Sequence, residues 1–160
     1  MAPPDLPDTL RLSLLDRSRT RHGEPHATAL EATLRRAEHA DTLGFHRFWT
    51  AEHHSVPGIA SGSPPLLLAA AGARTERIRL GSGGMMMPNH RPLIVAGQFA
   101  MLEAMYPGRV DLGVGRSRGS TAPVREALGV SEYSTDEFAR DITALQDFLH
   151  GRGPVSAMPV

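Results

Sequence analysis

The chain has 160 residues, no cysteine, and 17 basic against 17 acidic side chains, for a formal net charge of zero. That balance argues against nucleic acid or an anionic membrane as the main partner. The lack of cysteine removes disulfides, thiolate nucleophiles and zinc–thiolate sites, and because every one of the 17 basic residues is arginine, lysine chemistry such as a Schiff base or a P-loop lysine is removed too.

One domain is expected at this length, whereas a full eight-stranded β/α barrel needs roughly 200 residues or more. Met1-Ala2-Pro3-Pro4-Asp5 has no basic region leading into an apolar run, so no signal peptide is expected. The longest apolar stretch, around Leu66 to Ala71, is far below the roughly 20 residues that span a bilayer. The expectation is a cytoplasmic protein with no membrane partner.

In chain order, residues 1–9 read as a flexible arm. Leu10 to Leu15 alternates and then turns apolar, as a first strand does. Asp16 to Gly23 is a polar loop at its end. Thr28-Ala29-Leu30-Glu31 has the form of a capping box, and Leu30, Leu34, Ala37 and Leu43 follow at helical spacing until Gly44. Arg47 to Glu52 reads as the second strand, whose Phe48-Trp49 pair is expected to pack the core rather than stack on a ligand. Ser63-Pro64-Pro65 opens the next helix, and Leu66 to Ala73 is apolar nearly all round, so burial is expected.

Ile78 to Gly84 reads as a third strand ending in glycines. Met85-Met86-Met87 follows, and these methionines suit a core-filling role. Pro92 starts a helix through Val95, Phe99, Leu102 and Tyr106 that stops at Pro107-Gly108. Val110 to Gly115 reads as a fourth strand. Ser134-Thr135-Asp136-Glu137 is a second capping box, and Phe138, Ile142, Leu145 and Leu149 give an apolar stripe up to Gly151. Residues 152–160 read as a tail. Strand–helix alternation four times over implies parallel strands joined by right-handed crossovers.

In such folds ligands bind at the C-terminal edge of the strands, and polar or glycine-rich segments sit at that edge. Glu52-His53-His54 admits a catalytic or ligand-contacting histidine, because the unperturbed imidazole titrates near neutrality. It also admits packed or surface histidines. Adjacent histidines on a strand point to opposite faces, which disfavours a shared metal. Gly81-Ser82-Gly83-Gly84 fits a turn, a weak strand end or close approach of a flat ligand. Gly113-Val114-Gly115-Arg116-Ser117-Arg118-Gly119 suits an anion, through backbone N–H groups and a guanidinium. It fails the dinucleotide fingerprint, because Arg118 stands where glycine is required.

Taken together, Phe48 to His54, Pro57-Gly58-Ile59-Ala60, Ile78 to Gly84 with Pro88-Asn89-His90-Arg91-Pro92, and Pro107 to Arg116 resemble the bacterial-luciferase-like flavin-dependent monooxygenases. Asp16 to Thr20 also looks like members of that family. The resemblance implies an α/β fold of the TIM-barrel type, with residues 10–151 supplying about four of eight strand–helix units, the N-terminal half of the barrel. It implies flavin at the C-terminal strand ends, with His53 matching the base near the ring. Gly83–Gly84 matches a non-prolyl cis peptide behind the ring, and Arg116 matches a phosphate contact. Glu52, Ser82, Gly83, Gly84, Met85 and Arg116 are the cofactor-binding positions so implied, with no metal.

The implied reaction uses reduced flavin and O₂ to oxidise a small organic substrate. The flavin is FMN, or the deazaflavin coenzyme of some relatives, with a flavin reductase as a further partner. A half barrel implies a homodimer or a missing C-terminal half. The alternatives are a non-catalytic flavin-binding module and an inactive remnant that needs a partner chain.

Overall fold

The structure, a computed structural model, describes residues 10–130 and 132–159. The expected arm at 1–9 lies outside the described residues. Four strands, β1 (Ser13–Asp16), β2 (Arg47–Thr50), β3 (Arg79–Met86) and β4 (Val110–Gly115), lie side by side in chain order, all parallel. Helices α1 (His26–Thr42), α2 (Pro64–Gly72) and α3 (Pro92–Met105) connect successive strands, and α4 (Ala122–Ala127) and α5 (Thr135–Leu149) follow β4. Strand order that never reverses is the winding of a β/α barrel rather than of a doubly wound sheet. Four units of eight make the half barrel expected from the sequence.

The core lies between sheet and helices. Phe48, Leu80 and Met85 from the strands are buried against Leu68, Val95, Phe99 and Leu102 from the helices. Helix α1 approaches closely because its inward face is small: Ala29, Thr33, Ala37 and Ala40 are buried, while Leu43 points to solvent. The expected capping box at Thr28 does not form. The helix starts at His26, after Pro25, with no side-chain cap, and Glu31 instead takes two 3.0 Å hydrogen bonds from Arg74. At the other end of α1, Asp41 accepts the main-chain N–H groups of Glu76, Arg77 and Ile78 at 2.8, 3.1 and 2.8 Å. That carboxylate fixes where β3 begins.

Other expectations shift in detail. The β1 ladder begins at Ser13↔Arg47 rather than Leu10, because the sheet offers Leu10 no partner strand. Ser63 occupies the N-cap of α2 without a side-chain bond, and Leu66 on its outer face is exposed. The second capping box does form: Ser134 Oγ accepts Glu137 N–H at 3.1 Å and Glu137 Oε2 accepts Ser134 N–H at 2.7 Å. Helix α4 was not foreseen, since six residues are too short to show a period. After α5 the chain turns back, and Ala157, buried in the core, donates its N–H to Phe148 O at 3.0 Å.

The opposite face of the sheet carries Leu15, Arg47, Trp49, Arg79 and Asp111. Asp111 Oδ2 accepts from Arg47 Nε at 2.6 Å and Arg79 Nε at 2.8 Å, and the Arg47 guanidinium stands 4.9 Å over the Trp49 ring. Leu15 on this face is 54% exposed. In a closed barrel this face is the interior, filled by layers of side chains from all eight strands.

Candidate functional site

The site grows from an irregularity in β3. Ser82 pairs with Leu112 and Met85 with Val114, so two steps on β4 face three on β3, and Gly83–Gly84 forms the bulge. The Gly83–Gly84 peptide is cis, as the resemblance implied. A Cβ on Gly84 would stand 2.9 Å from Gly113 O, and one on Gly83 would stand 3.2 Å from Leu15 Cδ1. Only backbone fits at Gly84, whereas at Gly83 the exposed Leu15 side chain would have to give way. Beside this ledge lies a shallow depression of about 330 Å³ lined by Leu15, Trp49, Ser82, Gly83, Gly84, Gly113 and Val114. It is largely apolar and flat-floored, which suits a planar ring. Trp49 is therefore a wall of the depression, correcting the expectation that it packs the core with Phe48.

His53 sits on the loop after β2. Its N–H donates to Ser61 O at 2.8 Å, and Ser61 Oγ donates to Ala51 O. Ala60 N–H donates to Ser18 O at 3.0 Å and Thr20 N–H to Gly58 O at 3.0 Å, so the loops after β1 and β2 are stitched together. The β1 loop is held in turn by Asp16, which accepts Ser18 N–H at 2.6 Å and the Thr33 hydroxyl at 2.8 Å. His53 Nδ1 is buried and has no hydrogen-bond partner. Burial, with Arg17 and His54 nearby, pushes the His53 pKa below its ordinary value against the opposing pull of Glu52. The neutral imidazole, the form that accepts a proton, is favoured.

Glu52 departs from expectation. It is 3% exposed and accepts from Met86 N–H at 2.8 Å, Asn89 Nδ2 at 3.0 Å, His54 Nε2 at 2.7 Å and His90 Nε2 at 2.9 Å. Burial alone would raise its pKa, but hydrogen bonds from His90, Asn89, Met86 and His54 outweigh this and hold it at about 2. A carboxylate offers about four lone-pair sites. All are used by protein donors, so in this structure the carboxylate serves the cluster.

Of the other expected positions, Ser82 is buried and exchanges hydrogen bonds with Gly113: its Oγ donates to Gly113 O at 2.8 Å and accepts Gly113 N–H at 3.1 Å. It therefore braces the ledge. The Met85 side chain is buried in the helix-side core, and its main chain lies at the bulge. Arg116 is exposed just past β4, and its Nη1 donates to Thr135 Oγ1 at 2.7 Å in the first turn of α5. A second hollow, about 630 Å³, lies there, lined by Arg116, Arg118, Arg125 and Ser134 and also by Glu132 and Glu137. Guanidinium groups beside the N-terminus of a 15-residue helix suit an anion.

The sequence reading gave no role to Asn89 and His90, which complete the Glu52 cluster. Their signal was a polar pair directly after a strand end. Among the described residues no group of three or more His, Cys, Asp or Glu could hold a metal ion, and no helix is long and apolar enough to cross a membrane.

The family model described as luciferase-like monooxygenase matches residues 11–151. An N-acetyl-S-alkylcysteine monooxygenase of Bacillus subtilis is 44% identical over 147 residues, covering 91% of this chain and 44% of that protein. The crystal structure of apo-MsnO8 superposes with a TM-score of 0.88 at 37% identity, over 94% of this chain and 46% of that one. The oxygenating constituent of 3,6-diketocamphane monooxygenase of Pseudomonas putida, solved in complex with FMN, shares the fold at a TM-score of 0.77, 21% identity and 86% and 38% coverage. The chain thus spans less than half the length of the relatives it matches. It belongs to the luciferase-like monooxygenase family.

Proposed function

We propose that this chain supplies the N-terminal half of a flavin-dependent monooxygenase site working in the cytoplasm. The observation that carries the reading is the glycine ledge at Gly83–Gly84 beside the shallow apolar depression lined by Trp49, with His53 on the neighbouring loop. Gly83, Gly84 and Trp49 would hold the ring, and Arg116, just past β4 and bonded to Thr135 at the start of α5, would meet the phosphate. Bound in reduced form, FMN would supply electrons to O₂ for oxidation of a small organic substrate, whereas a deazaflavin would supply a hydride instead. His53, on the loop after β2 and favoured in its neutral form, would hold or take the proton.

The inner face, with Leu15 exposed and Trp49 only half-buried, supports completion of the barrel by a further half. That half is the continuing chain or a second copy, and a flavin reductase would supply the reduced cofactor. Without that completion the same residues make a flavin-binding module without turnover.

The test is titration of the wild-type chain and Arg116→Ala with FMN and with riboflavin, which lacks the phosphate. Weaker FMN binding with unchanged riboflavin binding is expected for Arg116→Ala. Equal affinities in both proteins would contradict the phosphate assignment, and a wild type that binds neither would contradict the flavin site.

A further inference from the structure

The β2–β3 ladder ends at Thr50↔Ser82. Beyond it, the bulge at Gly83–Gly84 throws the main chain of β3 out of register, so β2 can no longer pair with it. The Glu52 side chain takes over, reaching Met86 N–H at 2.8 Å, two residues past Gly84. The same carboxylate takes Asn89 and His90 from the turn after β3, and His54 from the loop after β2. Its side chain has no exposed surface. Three pieces of chain thus meet on one buried anion that lies directly before His53.

The chemistry also fixes the histidines. An ionised carboxylate only accepts, so an imidazole nitrogen facing it must carry the proton. His54 and His90 both face Glu52 with Nε2. In their neutral forms both are therefore Nε2–H tautomers, and Nδ1 is the basic atom of each.

We propose that Glu52 is a positioning residue for the flavin site. It locks the Gly83–Gly84 ledge to the His53 loop and sets His54 and His90 in the Nε2–H tautomer. This inference rests on the flavin reading above for its consequence, but not for its geometry. Removing the anion leaves Met86 N–H, the Asn89 amide and two imidazole N–H groups competing for whatever acceptor remains.

The variant Glu52→Gln keeps the shape but replaces one accepting oxygen by an N–H donor. FMN titration of the wild-type chain and Glu52→Gln, at a temperature where circular dichroism shows both folded, should give a dissociation constant about 10- to 100-fold higher in the variant. The thermal midpoint reports any purely structural loss separately. A second measurement needs no change at Glu52: long-range ¹H–¹⁵N spectra of the wild-type imidazoles at a pH of about 8, above the usual histidine range. His54 and His90, assigned with His54→Gln and His90→Gln, should show the Nε2–H pattern. A folded Glu52→Gln that binds FMN as tightly as wild type would overturn the proposal, as would an Nδ1–H tautomer at either histidine. A wild type that binds no FMN would contradict the flavin reading instead, and the tautomers would still decide the Glu52 clamp.

Discussion

The Trp49 indole lies so close over Gly81 that a Cβ there would stand 2.3 Å from Trp49 Cε3. One aromatic ring covers neighbouring strands because Gly81 and Gly113 contribute no side chains beneath it. The Cβ position of Gly113 is tighter still in kind, since it falls 2.2 Å from the main-chain oxygen of Ser82. An indole on an open face can move, but a ladder carbonyl cannot without breaking β3–β4 pairing. Gly113→Ala is therefore expected to cost about 2–3 kcal/mol and Gly81→Ala about 1 kcal/mol. Urea unfolding of the two variants checks the order, and a larger loss for Gly81→Ala would contradict it.

Asp41 supplies a second test. Its carboxylate holds three successive amides at the entry to β3. Asp41→Ala leaves them without that acceptor and is expected to cost about 2–4 kcal/mol, while Asp41→Asn, which keeps one accepting oxygen, loses less. Burial tends to raise the Asp41 pKa, but hydrogen bonds from Glu76, Ile78 and Arg77 more than offset it, so it lies below its ordinary 3.8. The stability it contributes is present above about pH 3.8 and fades as pH falls further. Chemical denaturation at neutral pH and near pH 3 should show the Asp41→Ala penalty shrinking in acid.

Glu52 gives a wider acid window. Its pKa falls from an ordinary 4.5 to about 2 in the fold. The corresponding contribution, about 3 kcal/mol, is complete above about pH 4.5 and lost as pH drops toward 2. Stability measured across that range should decline in the wild type and be flatter in Glu52→Gln. Parallel curves would count against the Glu52 account.

His53 shifts in the same direction, but in a higher pH window. Its pKa is lowered by burial, Arg17 and His54, so the folded state takes up a proton less readily than the unfolded chain. The imidazole should titrate below 6.5, and its share of stability should diminish as pH falls below 6.5. An NMR titration of the imidazole, assigned with His53→Ala, checks this, and a midpoint above 6.5 would refute it. His53→Ala should also keep FMN binding. In a preparation that turns over, it should lower the rate about 100-fold or more.

The repeating features were legible in the sequence. Val110 to Gly115 reads as a strand and is one, and Ser134 with Glu137 reads as a capping box and forms it. Such signals are local: a run of alternating residues, or two side chains three apart. Thr28 and Glu31 carry the same local signal, but Pro25 starts the helix earlier and Arg74, far along the chain, captures Glu31. The Glu52 cluster was hidden for a like reason. Its donors lie up to 38 positions away, and only the bulge at Gly83–Gly84 brings Met86, Asn89 and His90 within reach. Trp49 was misread because a strand of four residues does not say which face a barrel will close over.

The central claim is that these four units form half of a flavin site. The most direct test is fluorescence titration of the 160-residue chain with FMN, with its mass in solution measured by light scattering on the same sample. Saturable binding with one FMN per chain or per dimer is the expected result, abolished or weakened by Arg116→Ala. A well-folded chain, monomeric or dimeric, that leaves FMN fluorescence unchanged at every concentration would contradict the claim.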